Sequence, residues 1–193
     1  MSNKRSYDIA NIDLSDDYYT IEQSLFRNKY KVTDSEGEVV LKGKQKMLKM
    51  KEEFPFVDED GEEVFTVKAG GVLDIAGNYA LIDAATDEGV VVLDEDLSFF
   101  VENWTVRDPE TEEVLAKIKS KNKIASALQR LSDIARLIPN KFEIFDPDGE
   151  KIGEIAGEFS IRDRYELSID TEADAPREAV MAAACVLDAL EVE

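Results

Sequence analysis

Histidine is absent from this sequence and cysteine occurs once, as Cys185, so several kinds of catalytic and metal site cannot be built. Without histidine, neither a Ser-His-Asp nor a Cys-His catalytic unit can form, and zinc sites with histidine ligands are excluded. A single cysteine cannot form a disulfide within the chain. Because Cys185 stands in the uncharged run AVMAAACVL, residues 179–187, we expect it to act as a small buried hydrophobe.

Long apolar runs are also missing. No segment reaches the length of about 20 apolar residues that spans a bilayer. Residues 1–20 lack the apolar core of a secretion signal. We therefore expect a protein without a transmembrane segment that resides in the cytoplasm.

Basic residues are scarce relative to acids, with 23 Lys and Arg against 43 Asp and Glu and a net charge of -20. The phosphate backbone of nucleic acids repels such a surface, so nucleic acid is not expected as a partner. Self-repulsion weakens near molar salt, where the screening length falls to about 3 Å. The charge therefore suggests the cytosol of a halophile, and an ordinary acidic cytosolic protein is the alternative.

Most of the chain is one pattern, repeated. Each copy begins with an aromatic residue, alternates into an Asp, passes a short polar turn and resumes alternation on Val, Ile or Leu. Alternation with a period of two indicates strands buried on one face. Four copies and a looser fifth occupy residues 30–44, 56–70, 104–121, 142–158 and 79–95. With strand candidates at 18–26, 97–101 and 164–169, they predict an antiparallel sheet of about ten to twelve strands that closes into a barrel.

The turns DSEGE, DEDGE and DPDGE favour tight hairpins, in which Asp caps the turn and a glycine such as Gly61 or Gly149 takes a positive φ. An EF-hand calcium loop also needs Asp residues and a glycine, but here the glycine follows too early for that spacing. The turns are therefore interpreted as hairpins and not as metal sites.

The chain ends in a helix that is apolar on every side. Asp174 suits the helix cap and Pro176 the first turn. The following residues form a rod of roughly 24 Å at about 1.5 Å per residue. Such a helix must be surrounded by other groups, and it is too short for lipid. Its many alanines keep it thin, so we place it inside the barrel as the core.

The chain resembles the LURP-one-related proteins, a family of the Tubby C-terminal-like superfamily that also contains the phospholipid scramblases. The resemblance covers the chain from about Tyr19 to Glu193 and rests on YTIEQSLFRNKYKVTDSEGEVVLKGK, FEIFDPDGEKIGEI, RDRYELSID and DAPREAVMAAACVLDAL. It implies a twelve-stranded antiparallel barrel around a central hydrophobic C-terminal helix. Tubby domains bind phosphoinositides through basic side chains, whereas the calcium segment of scramblases matches no stretch here. We divide the chain into a polar N-terminal segment, residues 1–18, and a single domain, residues 19–193.

One segment interrupts the hairpins and is basic. Residues 117–141 carry a charge of +6 while the rest of the chain carries -26, and residues 41–51 contain no acid. Apolar residues recur at helical spacing from about 123 to 138, which predicts an inserted amphipathic helix. This helix either covers an open end of the barrel or rests on an anionic partner. The candidate site is an anionic-ligand patch formed by Lys117, Lys119, Lys121, Lys123, Arg130, Arg136, Lys141, Lys42, Lys44 and Lys46.

These observations favour a non-enzymatic binding or adaptor module without a cofactor. It would engage anionic phospholipid headgroups, peripherally at the membrane, or an unidentified protein partner. Two alternatives belong to other classes: an enzyme that uses carboxylates, as glycosidases do, and a carrier of apolar ligands within the barrel. No motif identifies a catalytic, cofactor-binding or metal-binding residue for any of them.

Overall fold

The computed structural model describes residues 7–24, 29–44, 53–69, 79–98, 101–121, 141–158, 164–170 and 176–190. Twelve strands form one closed antiparallel barrel. The strands are β1 (Tyr18–Ser24), β2 (Lys29–Thr33), β3 (Val39–Lys44), β4 (Glu53–Val57), β5 (Glu63–Ala69), β6 (Tyr79–Asp83), β7 (Gly89–Ser98), β8 (Val101–Arg107), β9 (Val114–Ser120), β10 (Lys141–Phe145), β11 (Lys151–Glu158) and β12 (Arg164–Ile169). One helix, α1 (Arg177–Leu190), follows the last strand.

The five predicted hairpins are confirmed as β2–β3, β4–β5, β6–β7, β8–β9 and β10–β11. The single strands predicted at 18–26 and 164–169 are β1 and β12, which pair with each other and close the barrel. The separate strand predicted at 97–101 is wrong. Instead β7 continues to Ser98 and β8 begins at Val101, and these two residues are paired in register. Leu97 therefore belongs to β7 and Val101 to β8, and residues 99–100 lie outside the described residues.

The core lies between the inner faces of the strands and the helix. From Ala179 to Ala184 every residue of α1 is completely buried, on all sides of the helix. The helix contacts β7 and β12, which four strands separate along the shorter way around the barrel. A helix that is buried all round and touches separate walls fills the barrel, as the sequence predicts. Cys185 lies within α1, but its side chain is outside the described part.

The turns follow the predicted chemistry. Gly61 and Gly149 both have a φ of +91°. Within the same two turns, the first Asp accepts backbone N–H groups through its side chain, as Asp58 does from Gly61 and Glu62 at 2.9 Å. The longer turns after β6 and β8 lack a glycine at this place, and Asp87 and Glu112 take the positive φ there. Asp tolerates this conformation better than most residues because its side chain bonds locally.

The described residues of the N-terminal segment, 7–17, run across the turns at one end of the barrel. Ile9 and Leu14 are buried in the core cluster. The segment, which the sequence predicts to be polar, therefore also makes apolar contacts with the core. The boundary between residues 18 and 19 stays a prediction. The inserted helix predicted at 123–138 lies outside the described residues.

Candidate anion-binding surface

The outer face of β9 and β10 brings four of the predicted basic residues together. Along β9 the burial alternates, with Ile118 inside the barrel and Lys117 and Lys119 exposed outside. Lys121 follows directly, and its backbone N–H donates a 2.7 Å hydrogen bond to the carbonyl oxygen of Lys141 at the start of β10. We call Lys117, Lys119, Lys121 and Lys141 the β9–β10 lysine face.

Two glutamates form ion pairs with lysines at the edge of this face. The ammonium groups of Lys121 and Lys151 lie 3.2 and 3.4 Å from the same oxygen of Glu143. The hydrogen bond from Lys121, and then that from Lys151, hold the pKa of the Glu143 carboxyl below its ordinary value. Lys151 also contacts Glu154 at 2.7 Å, which raises the pKa of Lys151 and lowers that of Glu154. On β9–β11 and Lys121, which follows β9, five lysines therefore outnumber the three glutamates of these strands, Glu143, Glu154 and Glu158, a local excess of positive charge.

An aromatic ring stands among these lysines. The ammonium nitrogen of Lys119 lies 4.7 Å from the centre of the Phe145 ring, within the range of a cation–π contact. Phe145 is the last residue of β10, and its half-buried side chain lies on the outer face of the barrel. The β9–β10 lysine face thus combines exposed ammonium groups with apolar surface, a combination suited to the boundary between water and lipid.

A second group of lysines is paired across β2 and β3. Lys42 stands opposite Lys31, and Lys44 stands opposite Lys29. Like charges directly opposite in a sheet are unfavourable, so neither of these two lysine pairs is expected to stabilise the sheet. Lys31 is exposed, while the Lys42 ammonium donates to the carbonyl oxygen of Glu59 in the next turn. We call Lys29, Lys31, Lys42 and Lys44 the β2–β3 lysine pairs.

Sequence reasoning missed Lys29 and Lys31, although folding the hairpin about DSEGE would have placed their strand beside the basic residues of β3. The sequence analysis identified the dense basic run at residues 41–51. The strand β2 contributes only two lysines, at alternate positions, and so does not stand out as a basic run. A bulge between Val32 and Thr33 also shifts the register near the turn. The pairing therefore had to come from the structure.

The predicted patch is divided by the barrel. Three strands, β11, β12 and β1, lie between β10 and β2, and five strands, β4 to β8, lie between β3 and β9. The structure thus places Lys42 and Lys44 on a different side from Lys117, Lys119, Lys121 and Lys141. The remaining predicted residues, Lys46, Lys123, Arg130 and Arg136, lie outside the described residues.

The buried carboxylates have structural partners. Asp83 accepts backbone N–H groups from Ala10 at 2.6 Å, Ala85 at 2.8 Å and Thr86 at 2.9 Å. Burial by itself would raise the pKa of Asp83, but these hydrogen bonds outweigh it and the pKa is lowered. Asp108 accepts the N–H groups of Glu110 and Thr111 at 2.7 Å in the same way. Both groups hold turns together, which is a sufficient role for a buried acid.

Among the described residues, no group of three or more Asp, Glu or Cys side chains is arranged to hold a metal ion. No helix of the described ranges is both long and apolar enough to cross a bilayer. The exposed lysines of β9 and β10 form the candidate site.

Comparison with known proteins agrees with this architecture. The structure is similar to an X-ray structure of a protein from Arabidopsis thaliana, with a TM-score of 0.55, 11% sequence identity, and coverage of 90% of this chain and 91% of that chain. At this identity the likeness concerns the fold alone. No curated protein matches the sequence. The family model of the LURP-one-related proteins matches residues 39–188, which is most of the chain, and the protein belongs to that family.

Proposed function

We propose that this protein is a non-enzymatic binding module whose β9–β10 lysine face engages anionic phospholipid headgroups. One observation carries the proposal. A chain of net charge -20 places Lys117, Lys119 and Lys141 on two adjacent strands of its outer wall, and Lys121 directly after the first of them. Membership of the LURP-one-related family and the barrel fold support a binding role over a catalytic one.

The interior of the barrel favours a function on its outside. Between Ala179 and Ala184 the helix is completely buried, and the inner faces of the strands pack around it. A β-barrel that carries an apolar ligand needs the space that this helix occupies. Ligand recognition is therefore assigned to the wall and not to the interior.

The chemistry of the face fits phosphate-bearing headgroups. Lysine presents a compact ammonium charge on a long flexible stem, so it can reach a phosphate without a preformed pocket. Near an anionic membrane each lysine contributes about 1 kcal/mol, and this attraction fades within a Debye length. The half-buried Phe145 ring beneath Lys119 adds a contact with the headgroup boundary.

The test is vesicle flotation with phosphatidylcholine alone and with phosphatidylcholine mixed with phosphatidylserine. Wild-type protein should float with the anionic vesicles and stay behind with the neutral ones. Lys117→Gln/Lys119→Gln removes two charges from exposed positions and should weaken binding about 30-fold, from about 1 kcal/mol per lysine.

The matched control is Ala84→Glu/Ala85→Glu, which changes the net charge by the same amount on an exposed turn away from the lysines. It should bind nearly as wild type does, because screening limits the reach of the added charges. Equal recovery of wild type with neutral and anionic vesicles would refute the proposal.

A further inference from the structure

Each of the five hairpins carries a β-bulge at the same place. Because neighbouring strands are antiparallel, the five hairpin turns lie at one end of the barrel, which we call the turn end. Just after each turn the register shifts, and the second residue of the returning strand is left without a partner. These residues are Val40, Val64, Val90, Leu115 and Ile152, and we call them the bulge residues. Four of them are buried in the core cluster and Val40 packs against it, so the turn end is apolar beneath its polar turns.

The N-terminal segment, residues 7–17, crosses the turn end, and we call it the strap. It contains no helix or strand, yet Ile9 and Leu14 are buried in the same cluster as the bulge residues. Three hydrogen bonds join the strap to three different turns: Tyr7 donates to Asp108 at 3.0 Å, Ala10 to Asp83 at 2.6 Å, and Ser35 to Asp16 at 2.7 Å. The strap therefore closes the turn end with both apolar and polar contacts.

The strap is also attached to the start of the central helix. Glu178, in the first turn of α1, accepts the N–H of Ile9 at 3.1 Å, and the N–H of Leu14 is a second donor to it. Arg177 forms an ion pair with Asp17, where the strap passes into β1. The strap thus holds the residues at which the helix enters the barrel.

Charge opposes the docking of the strap. The turns are residues 34–38, 58–62, 83–88, 108–113 and 146–150. They contain 17 Asp and Glu and no Lys or Arg, and the strap adds four Asp and no basic residue. The environment of Glu178 reflects this: burial, and then the charges of Asp8 and Asp13, raise its pKa in spite of the hydrogen bonds from the strap. The strap is therefore docked against charge of its own sign.

The strength of this repulsion depends on salt. The screening length is about 30 Å at 0.01 M ionic strength, about 8 Å at physiological salt and about 3 Å at 1 M. In dilute buffer each strap carboxylate is repelled by acids of several turns, whereas near molar salt only its closest neighbours repel it. The burial of Ile9 and Leu14 favours docking at either salt concentration.

We propose that the strap is a salt-dependent closure of the turn end. At high ionic strength it docks over the bulge residues and retains the central helix, and at low ionic strength it is released while the barrel stays folded. The strap opens first because side-chain hydrogen bonds and two apolar anchors hold it, whereas every strand is bonded to a neighbour on each side. This device is independent of the proposed lipid binding.

Native-state deuterium exchange of the full chain tests the proposal, read on peptides from the strap, from α1 and from β8. Between about 0.05 M and about 1 M KCl, exchange of the strap and α1 peptides should slow about tenfold, as expected when several like-charge pairs are screened. Exchange of the β8 peptide should change less, because strap release leaves the barrel wall intact.

The deciding variant is Asp8→Asn/Asp13→Asn, which removes two exposed charges of the strap. Asn can still accept the 2.9 Å hydrogen bond that Ser15 donates to Asp13. At low salt this variant should slow exchange of the strap and α1 peptides about tenfold, and near molar salt it should change little. The matched control is Asp148→Asn/Glu150→Gln, which removes two exposed charges from a turn other than the three named above. It should have a smaller effect at low salt.

Leu14→Ala tests whether the strap opens separately from the barrel. Removing this buried side chain should speed exchange of the strap and α1 peptides about 30-fold or more at both salt concentrations. Exchange of the β8 peptide should rise much less. An equal rise in all three peptides would show that the strap unfolds only with the whole barrel, and would overturn the proposal.

Two further results would also refute the salt-dependent closure. One is exchange of the strap and α1 peptides that is the same at low and at molar salt. The other is a control variant that slows exchange as much as Asp8→Asn/Asp13→Asn does, because the effect would then belong to the net charge of the protein and not to the strap.

Discussion

The backbone N–H of Ala10 donates a 2.6 Å hydrogen bond to Oδ2 of Asp83, and so ties the N-terminal segment to the turn after β6. The other oxygen of Asp83 accepts the N–H groups of Ala85 and Thr86 within that turn. One buried carboxylate therefore shapes a hairpin and holds residues 7–17 against the hairpin turns at one end of the barrel.

Asp83→Ala should destabilise the protein by about 2–3 kcal/mol, because it leaves three backbone donors without their charged acceptor. Urea denaturation followed by circular dichroism measures this change. Asp87→Ala is the control for loss of an acid in the same turn, although its positive φ adds a smaller cost of about 1 kcal/mol. A larger loss from Asp87→Ala than from Asp83→Ala would contradict the role given to Asp83.

Stability should depend on pH with two opposing contributions. Burial, the largest cause, raises the pKa of Glu178, so its ionised form is disfavoured in the folded state. Stability should rise as pH falls through this raised pKa towards about 4.3, and Glu178→Gln should abolish that rise. The pKa values of Asp16 and Asp83 are lowered, so their contribution is present above about 3.9 and is lost as pH falls through the lowered values. Denaturant titrations across this range would show a maximum in wild type, and a monotonic fall with decreasing pH would count against it.

Gly149→Val should destabilise the protein by about 1 kcal/mol or more through backbone strain alone. The φ of Gly149 is +91°, and a Cβ built there meets no atom within 4 Å. A clash of the Cβ is therefore not the cause, and Gly149→Asn should cost less because Asn tolerates positive φ. Melting temperatures of the two variants provide the comparison, and equal losses would argue against strain as the cause.

Gly153→Ala should be costly for a different reason. A Cβ at this position would lie 2.4 Å from the carbonyl oxygen of Ser168 on the neighbouring strand, a contact that only a backbone shift can relieve. We expect a loss of about 1–3 kcal/mol, typical of overpacking. Ala156→Gly, also on β11, is a control that adds no atom, and a Gly153→Ala variant as stable as this control would contradict the register of β11 and β12.

Ala183→Asp should come close to unfolding the protein. Ala183 is completely buried in the helix that fills the barrel, and an enclosed carboxylate costs several kcal/mol even when protonated. That loss is a large part of a typical stability of about 5–15 kcal/mol. Ala183→Gly, which should cost only about 1 kcal/mol in helix propensity, is the control. A cooperative melt of Ala183→Asp near the wild-type temperature would show that this helix face is not enclosed.

Much of the barrel could be predicted from the sequence, because hairpins are local. Alternation in segments such as AKIKS and KFEIF places residues on two faces, and an Asp followed by a glycine at a suitable distance sets the bend. The apolar alanine-rich end can be buried only inside other structure, so its place within the barrel also followed from its composition. The end of β7 at Ser98 and the start of β8 at Val101 could not be located in this way, because the sequence from 97 to 101 is mostly apolar and looks like one strand.

The arrangement of charge was decided by the tertiary structure. The sequence shows basic runs near residues 42 and 119, but their positions around the wall depend on twelve pairings between strands. The same pairings put Lys29 opposite Lys44 and collect every acidic hairpin turn at one end. Alternation along a strand is a property of neighbouring residues, whereas the gathering of the acidic turns at one end is a property of how all strands close into one barrel. Only the closed barrel could reveal it.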